Sequence, residues 1–191
     1  MPGIEQYIDY NHVVTAREGC PQEIVGQQVG LHLPRWDFNG RSIAPNSNET
    51  LEVNGQIAIQ TIGFFLLAFD ERFPAGPFTA ASEFDFDDDT LMKKNCTSGF
   101  NWRLIQGSNQ LSKHAQGLAF DVNTVLNPYI RRQAKGKPIV QPERATYDPS
   151  LPGTFTPEHI LVISAAKAGL VWGGSWKSDV TDYQHFGWHE Y

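Results

Sequence analysis

Positive charge is scarce in this sequence. Its 15 Lys and Arg are outnumbered by 21 Asp and Glu, for a net charge of -6, and no Lys/Arg run is longer than a pair. Binding to phosphate backbones needs a basic face, so a nucleic-acid protein is set aside. Cysteine is also rare. Cys20 and Cys96 permit one disulfide without demanding it, and neither stands in a C-x-x-C pair, so a thiolate metal site is not expected. No apolar stretch is long enough to cross a bilayer; the longest, IAIQTIGFFLLAF at 57–69, contains Gln60 and Thr61 and has the length of a core helix. The N-terminal MPGIEQYIDYNH lacks a basic start and an apolar stretch behind it, so no secretory signal is expected. Internal repeats and low-complexity tracts are missing as well.

What is present fits a globule. The 191 residues are 40% hydrophobic and 12% aromatic, which leads us to expect a single domain over 1–191 with one buried core. With 17 Gly and 12 Pro, loops and turns should outnumber regular elements. Residues 1–52 read as loop-rich with one or two short strands. The segment LEVNGQIAIQTIGFFLLAFDERF predicts a buried helix over 53–72, ended by Pro74 and Pro77. The acidic run FDFDDD at 84–89 reads as a solvated loop, because the D-x-D-x-D-G spacing of a calcium loop is absent. GLAFDV alternates as a strand does, with Leu118, Phe120 and Val122 on one face and Ala119 and Asp121 on the other. Residues 127–155 hold five prolines and read as a long irregular excursion. Thr156 then caps a helix over 157–168 with Pro157 first, and Gly169 stops it.

Catalytic zinc takes three protein ligands, drawn from His nitrogen and carboxylate oxygen, and keeps a position for water. Few residues here suit that role. His12 and His32 stand in loop-like surroundings with no carboxylate at a useful spacing, and His159 reads as a surface residue in the first turn of its helix. His114 and Asp121 differ, because they bracket the small residues Gly117 and Ala119, which let backbone approach another group closely.

The eleven residues SKHAQGLAFDV match S-x-H-x-x-G-x-A-x-D, and DYQHF follows near the end of the chain. Together they resemble the M15 family of zinc peptidases, the D-alanyl-D-alanine carboxypeptidases and L-alanyl-D-glutamate endopeptidases that cut peptidoglycan stem peptides. The resemblance covers about residues 95–188. It implies that His114, Asp121 and His185 are zinc ligands, and that Asp182 is the general base. It implies that Arg103 steadies the substrate or the developing negative charge, and that Ser112 hydrogen-bonds near the site and contacts substrate. His189 competes with His185 as third ligand, and the D-x-x spacing favours His185. WGGSW at 172–176 matches a tryptophan-glycine segment leading to that ligand. Two positions depart from similar sequences: Ser175 stands where Asp is frequent, and Gly187 where the family has HFE.

From this reading we expect a small α+β domain, an antiparallel sheet carrying the zinc site and flanked by helices. Its expected partner is a peptidoglycan peptide substrate, and the protein is expected to be a monomer that binds no nucleic acid and spans no membrane. Its place would be extracellular, periplasmic or phage-released to the cell wall. Two other functions fit the ligands: a non-catalytic zinc-binding relative acting as a binding module, and a non-haem Fe(II) oxygenase using the same His/Asp/His set. Asp182 separates catalysis from the former, and the metal's identity separates zinc from the latter.

Overall fold

The computed structural model describes residues 3–45 and 48–188. Its class is α+β: helices and small antiparallel sheets share a main apolar cluster that runs from Val29 to Phe186 in sequence. No helix is long and apolar enough to cross a membrane among the described residues.

The first 55 residues hold more strand than expected: β1 (Ile8–Asp9), the helical turn α1 (Gln22–Val25), β2 (Gln28–Leu31), β3 (Arg35–Trp36), β4 (Ser42–Ile43) and β5 (Leu51–Asn54). Strands β1, β2 and β5 form one sheet, and β3 pairs with β4. Runs of two to four residues are too short for period-2 patterning to reveal.

The central helix starts later than the sequence suggested. Val53 and Asn54 belong to β5, paired with Val29 and Gln28. The Asn54 side chain accepts a hydrogen bond from the Gln56 amide at 3.0 Å, opening a 3-10 turn that leads into α2 (Ala58–Asp70). That helix ends at Asp70, and Arg72, with a left-handed φ of 54°, turns the chain away before either proline. Its buried Phe64 and Phe65 rings meet Phe120, and Phe64 also lies 4.8 Å from Phe186 and 6.1 Å from Phe155.

The acidic run is not a plain loop. Asp87 caps α3 (Asp88–Lys93), accepting from the Asp89 amide at 3.1 Å, and the first-turn Asp88 and Asp89 suit the positive end of a helix. GLAFDV forms β6 (Ala119–Asp121) with the expected faces: Phe120 and Val122 join the apolar cluster. The 127–155 excursion contains a hairpin, β7 (Tyr129–Arg131) with β8 (Ile139–Gln141). Buried Asn127 ties its two ends together, donating to the Gly153 carbonyl at 2.8 Å and accepting from the Phe155 amide at 2.9 Å.

Helix α4 (Ile160–Lys167) begins three residues beyond the expected start. His159, not Thr156, is its cap, taking the Leu161 amide on Nδ1 at 3.2 Å while its ring packs on Phe73 and Phe155. Gly169 follows with φ 87°, the expected stop. The chain closes with β9 (Leu170–Trp172), β10 (Val180–Asp182) and β11 (His185–Trp188). Two sheets built from these strands position the site: β6-β11-β9 and β10-β7-β8. Cys20 and Cys96 are both free thiols.

Candidate metal centre

The register of β6 against β11 places the site. His185 pairs with Asp121, and Phe186 with Phe120. Because successive side chains on a strand alternate faces, the phenylalanines stack 5.6 Å apart on the core side and the ligand candidates share the other. A slip of one residue would exchange the two sets.

His114 reaches the same point from a 3-10 turn, Lys113–Gln116, rather than from a strand. Ser112 caps that turn by accepting from the His114 amide at 3.3 Å. Gly117 ends it with φ 66°, and a Cβ there would lie 1.9 Å from Gln28 Oε1 and 2.7 Å from the Asn54 amide nitrogen. Only glycine fits both the backbone and the space. The Gly117 carbonyl in turn accepts from Asn54 at 2.8 Å, fastening the turn to β5.

His114 Nδ1 donates to the Gly99 carbonyl at 2.8 Å. A carbonyl can only accept, so the proton is on Nδ1 and Nε2 presents its lone pair inward. That atom lies 3.1 Å from His185 Nδ1 and 3.3 Å from Asp121 Oδ1, and the last two are 3.1 Å apart. Ligands about 2.0–2.1 Å from a tetrahedral ion sit roughly 3.3 Å from one another, so the triangle has the right size. Among the described residues this is the group of three His, Cys, Asp or Glu that could hold a metal ion, and all three are buried. His189 lies outside the described residues, whereas His185 is in the group.

Burial alone would raise the Asp121 carboxyl, but the imidazoles of His114 and His185 outweigh it and hold the group well below the carboxylate range. Asp182 is driven the other way. Burial, then the Asp121 charge, push it up to about 8 against the pull of His185 and Arg103. Its buried Oδ1 has no hydrogen-bond partner among the described residues, a costly state for a carboxyl oxygen.

Asp182 and His185 bracket a tight corner. Gly173, in a 3-10 turn after β9, packs against it, and a Cβ there would meet the Asp182 carbonyl at 2.5 Å and the His185 Cβ at 3.3 Å. This accounts for the first glycine of WGGSW; at the second, Gly174, a Cβ would overlap the Trp172 ring at 2.2 Å. Trp176 ends 5.4 Å from the His185 ring, and Trp172 donates to the Tyr183 carbonyl at 2.8 Å.

Arg103 is close enough to the centre to lower the Asp182 carboxyl, and it is held by Asp88 of α3 at 3.0 Å. The acidic run thus supplies a partner that spacing gave no hint of. Ser112 acts as the cap of the His114 turn. Residues that sequence reasoning passed over include Gly99, which orients His114. They also include His12, whose Nε2 is 2.7 Å from the buried Glu52 carboxylate despite forty residues of separation.

Residues 106–188 match the family described as D-alanyl-D-alanine carboxypeptidase. The match bears out the M15 resemblance and points to a peptidase. It takes in His114, Asp121, Asp182 and His185 and begins after Arg103. No curated protein and no solved structure matches the chain.

Proposed function

We propose that the chain is a zinc-dependent peptidase that hydrolyses peptide bonds of peptidoglycan stem peptides. In this reading His114, Asp121 and His185 hold the ion and Asp182 is the general base. The observation that carries it is the convergence of three buried N and O ligand atoms beside a fourth buried carboxyl with an unpartnered oxygen. Zinc held there would supply a water of pKa about 7 and would polarise the scissile carbonyl. A cation in the site would favour the ionised form of Asp182, which could then take a proton from the attacking water and return it to the leaving amine. Arg103, steadied by Asp88, is placed to bind the developing oxyanion or a substrate carboxylate with its planar fork. Ser112 contributes by fixing the turn that carries His114.

The presence of Asp182 favours catalysis over a purely binding role. On this reading the protein would act at the cell wall, whether exported or released by lysis, as a monomeric single domain. Digestion of purified peptidoglycan by wild type and Asp182→Asn, with mass analysis of fragments and metal analysis of both proteins, tests the reading. We expect peptide-bond products from wild type and a rate lower by roughly 10²–10⁴-fold in the variant, with zinc content unchanged. Full activity in the variant would remove the base assignment, and iron in place of zinc would favour oxygenase chemistry.

A further inference from the structure

The hairpin β7–β8 gathers positive charge, the sign in the minority in this chain. From Pro128 to Pro142 it holds Arg131, Arg132, Lys135 and Lys137 and no Asp or Glu, in a chain of net charge -6. In the linear sequence no basic run is longer than a pair, whereas the hairpin brings four cations together. Its position is set by register. Strand β7 pairs with β10, so Tyr129 lies opposite Asp182, Ile130 opposite Thr181 and Arg131 opposite Val180. Directly paired residues share a face, as do residues two apart on one strand. Tyr129 and Arg131 therefore stand on the Asp182 face, whereas Ile130 and Arg132 stand on the other, where Arg132 donates to Thr181 Oγ1 at 3.4 Å.

Arg131 is held ready rather than consumed. Its Nε donates to the Tyr129 hydroxyl at 2.8 Å, with the guanidinium 5.8 Å from that ring. No acid pairs with it among the described residues, whereas Arg35 has Glu49 and Arg103 has Asp88. Both terminal nitrogens thus keep their donors for another group.

Building on the peptidase reading, we propose that Arg131 is a specificity residue that binds a carboxylate of the substrate peptide. Two residues of strand separate it from the Tyr129–Asp182 pair, about 7 Å. The carboxylate it reads then lies roughly two residues from the scissile bond. Arg131 makes no step of the reaction; it selects acidic over amidated peptides.

The test uses zinc-loaded full-length protein and the soluble peptide L-Ala-γ-D-Glu-L-Lys-D-Ala-D-Ala. Two analogues, one with the Glu α-carboxyl amidated and one with the C-terminus amidated, distinguish which carboxylate is read. A charge-assisted contact of this kind corresponds to roughly a ten- to hundredfold preference. We expect wild type to disfavour one amide by that factor in kcat/KM, mainly through KM. Arg131→Gln should lose the discrimination with kcat kept, Arg131→Lys should retain part of it, and Lys135→Gln at the hairpin tip should behave as wild type. Equal rates on acid and both amides in wild type, or undiminished discrimination in Arg131→Gln, would overturn the proposal. Failure to cleave any peptide would count against the peptidase reading instead. The same peptides titrated by chemical shift then decide the role of Arg131: an acid-over-amide difference in Kd that vanishes in Arg131→Gln supports it, and equal Kd values overturn it.

Discussion

Asp121 and Asp182 occupy one buried site and are pushed in opposite directions, which gives metal-free protein a readable pH dependence. For Asp182, raised from 3.8 to about 8, the folded state holds the proton more tightly than the unfolded chain. Its contribution is therefore full below about pH 4 and is lost as pH rises through 8. Asp121 is lowered, so its contribution is present above its ordinary 3.8 and is lost on further acidification. Chemical denaturation of chelated protein should show Asp182→Asn gaining on wild type between pH 5 and 8.5; a constant difference across that range would contradict the assignment. At Gly117, alanine must take a left-handed backbone and overlap the Asn54 amide. We expect Gly117→Ala to lose at least about 1–3 kcal/mol in urea unfolding, together with weaker metal binding. His114, Asp121 and Gly117 were legible because their spacing is local. Gly99, Asp88 and the His12–Glu52 pair were not, because each joins residues far apart in sequence and no periodicity encodes such a contact.

At the scale of elements, the ligand pair depends on one register. Phe120 and Phe186 hold it by packing against Phe64 of α2. Removing that ring should leave a cavity, so Phe64→Ala is expected to cost about 3–5 kcal/mol, measured as a lower urea midpoint with an unchanged slope. Little or no loss would mean that the helix does not brace the sheet. Alternation in GLAFDV exposed β6 to sequence reading because a strand with one apolar face repeats every two residues. The helix starts were displaced because local caps decided them: Asn54 is drawn into β5, and His159 replaces Thr156. The hairpin β7–β8 was hidden in Pro- and Gly-rich sequence, since strands of three residues leave almost no pattern. Yet it is this hairpin that sets β10, and with it Asp182.

For the whole molecule, the ligands come from two distant stretches of the chain, 114–121 and His185, so an ion that needs all three binds the folded form. Linkage then ties metal to stability: with free zinc at a hundred times its Kd, the gain is about 2.7 kcal/mol. For a chain of this size that corresponds to a Tm rise of very roughly 5–10 °C. Differential scanning of chelated and zinc-loaded protein checks this. His185→Ala should show little of the rise, because a ligand is gone while the β6–β11 pairing remains. The α+β class and the identity of the buried group followed from sequence pattern and resemblance, whereas the approach of two small sheets to one point is a property of the assembled fold. The most direct measurement is zinc titration of chelated protein against purified peptidoglycan, following the release of new amino groups. We expect activity to vanish on chelation, to return and saturate at one zinc per chain, and to stay near background in His185→Ala; release that continues undiminished in chelator, or full recovery in His185→Ala, would contradict a metal-dependent peptidase built on these three residues.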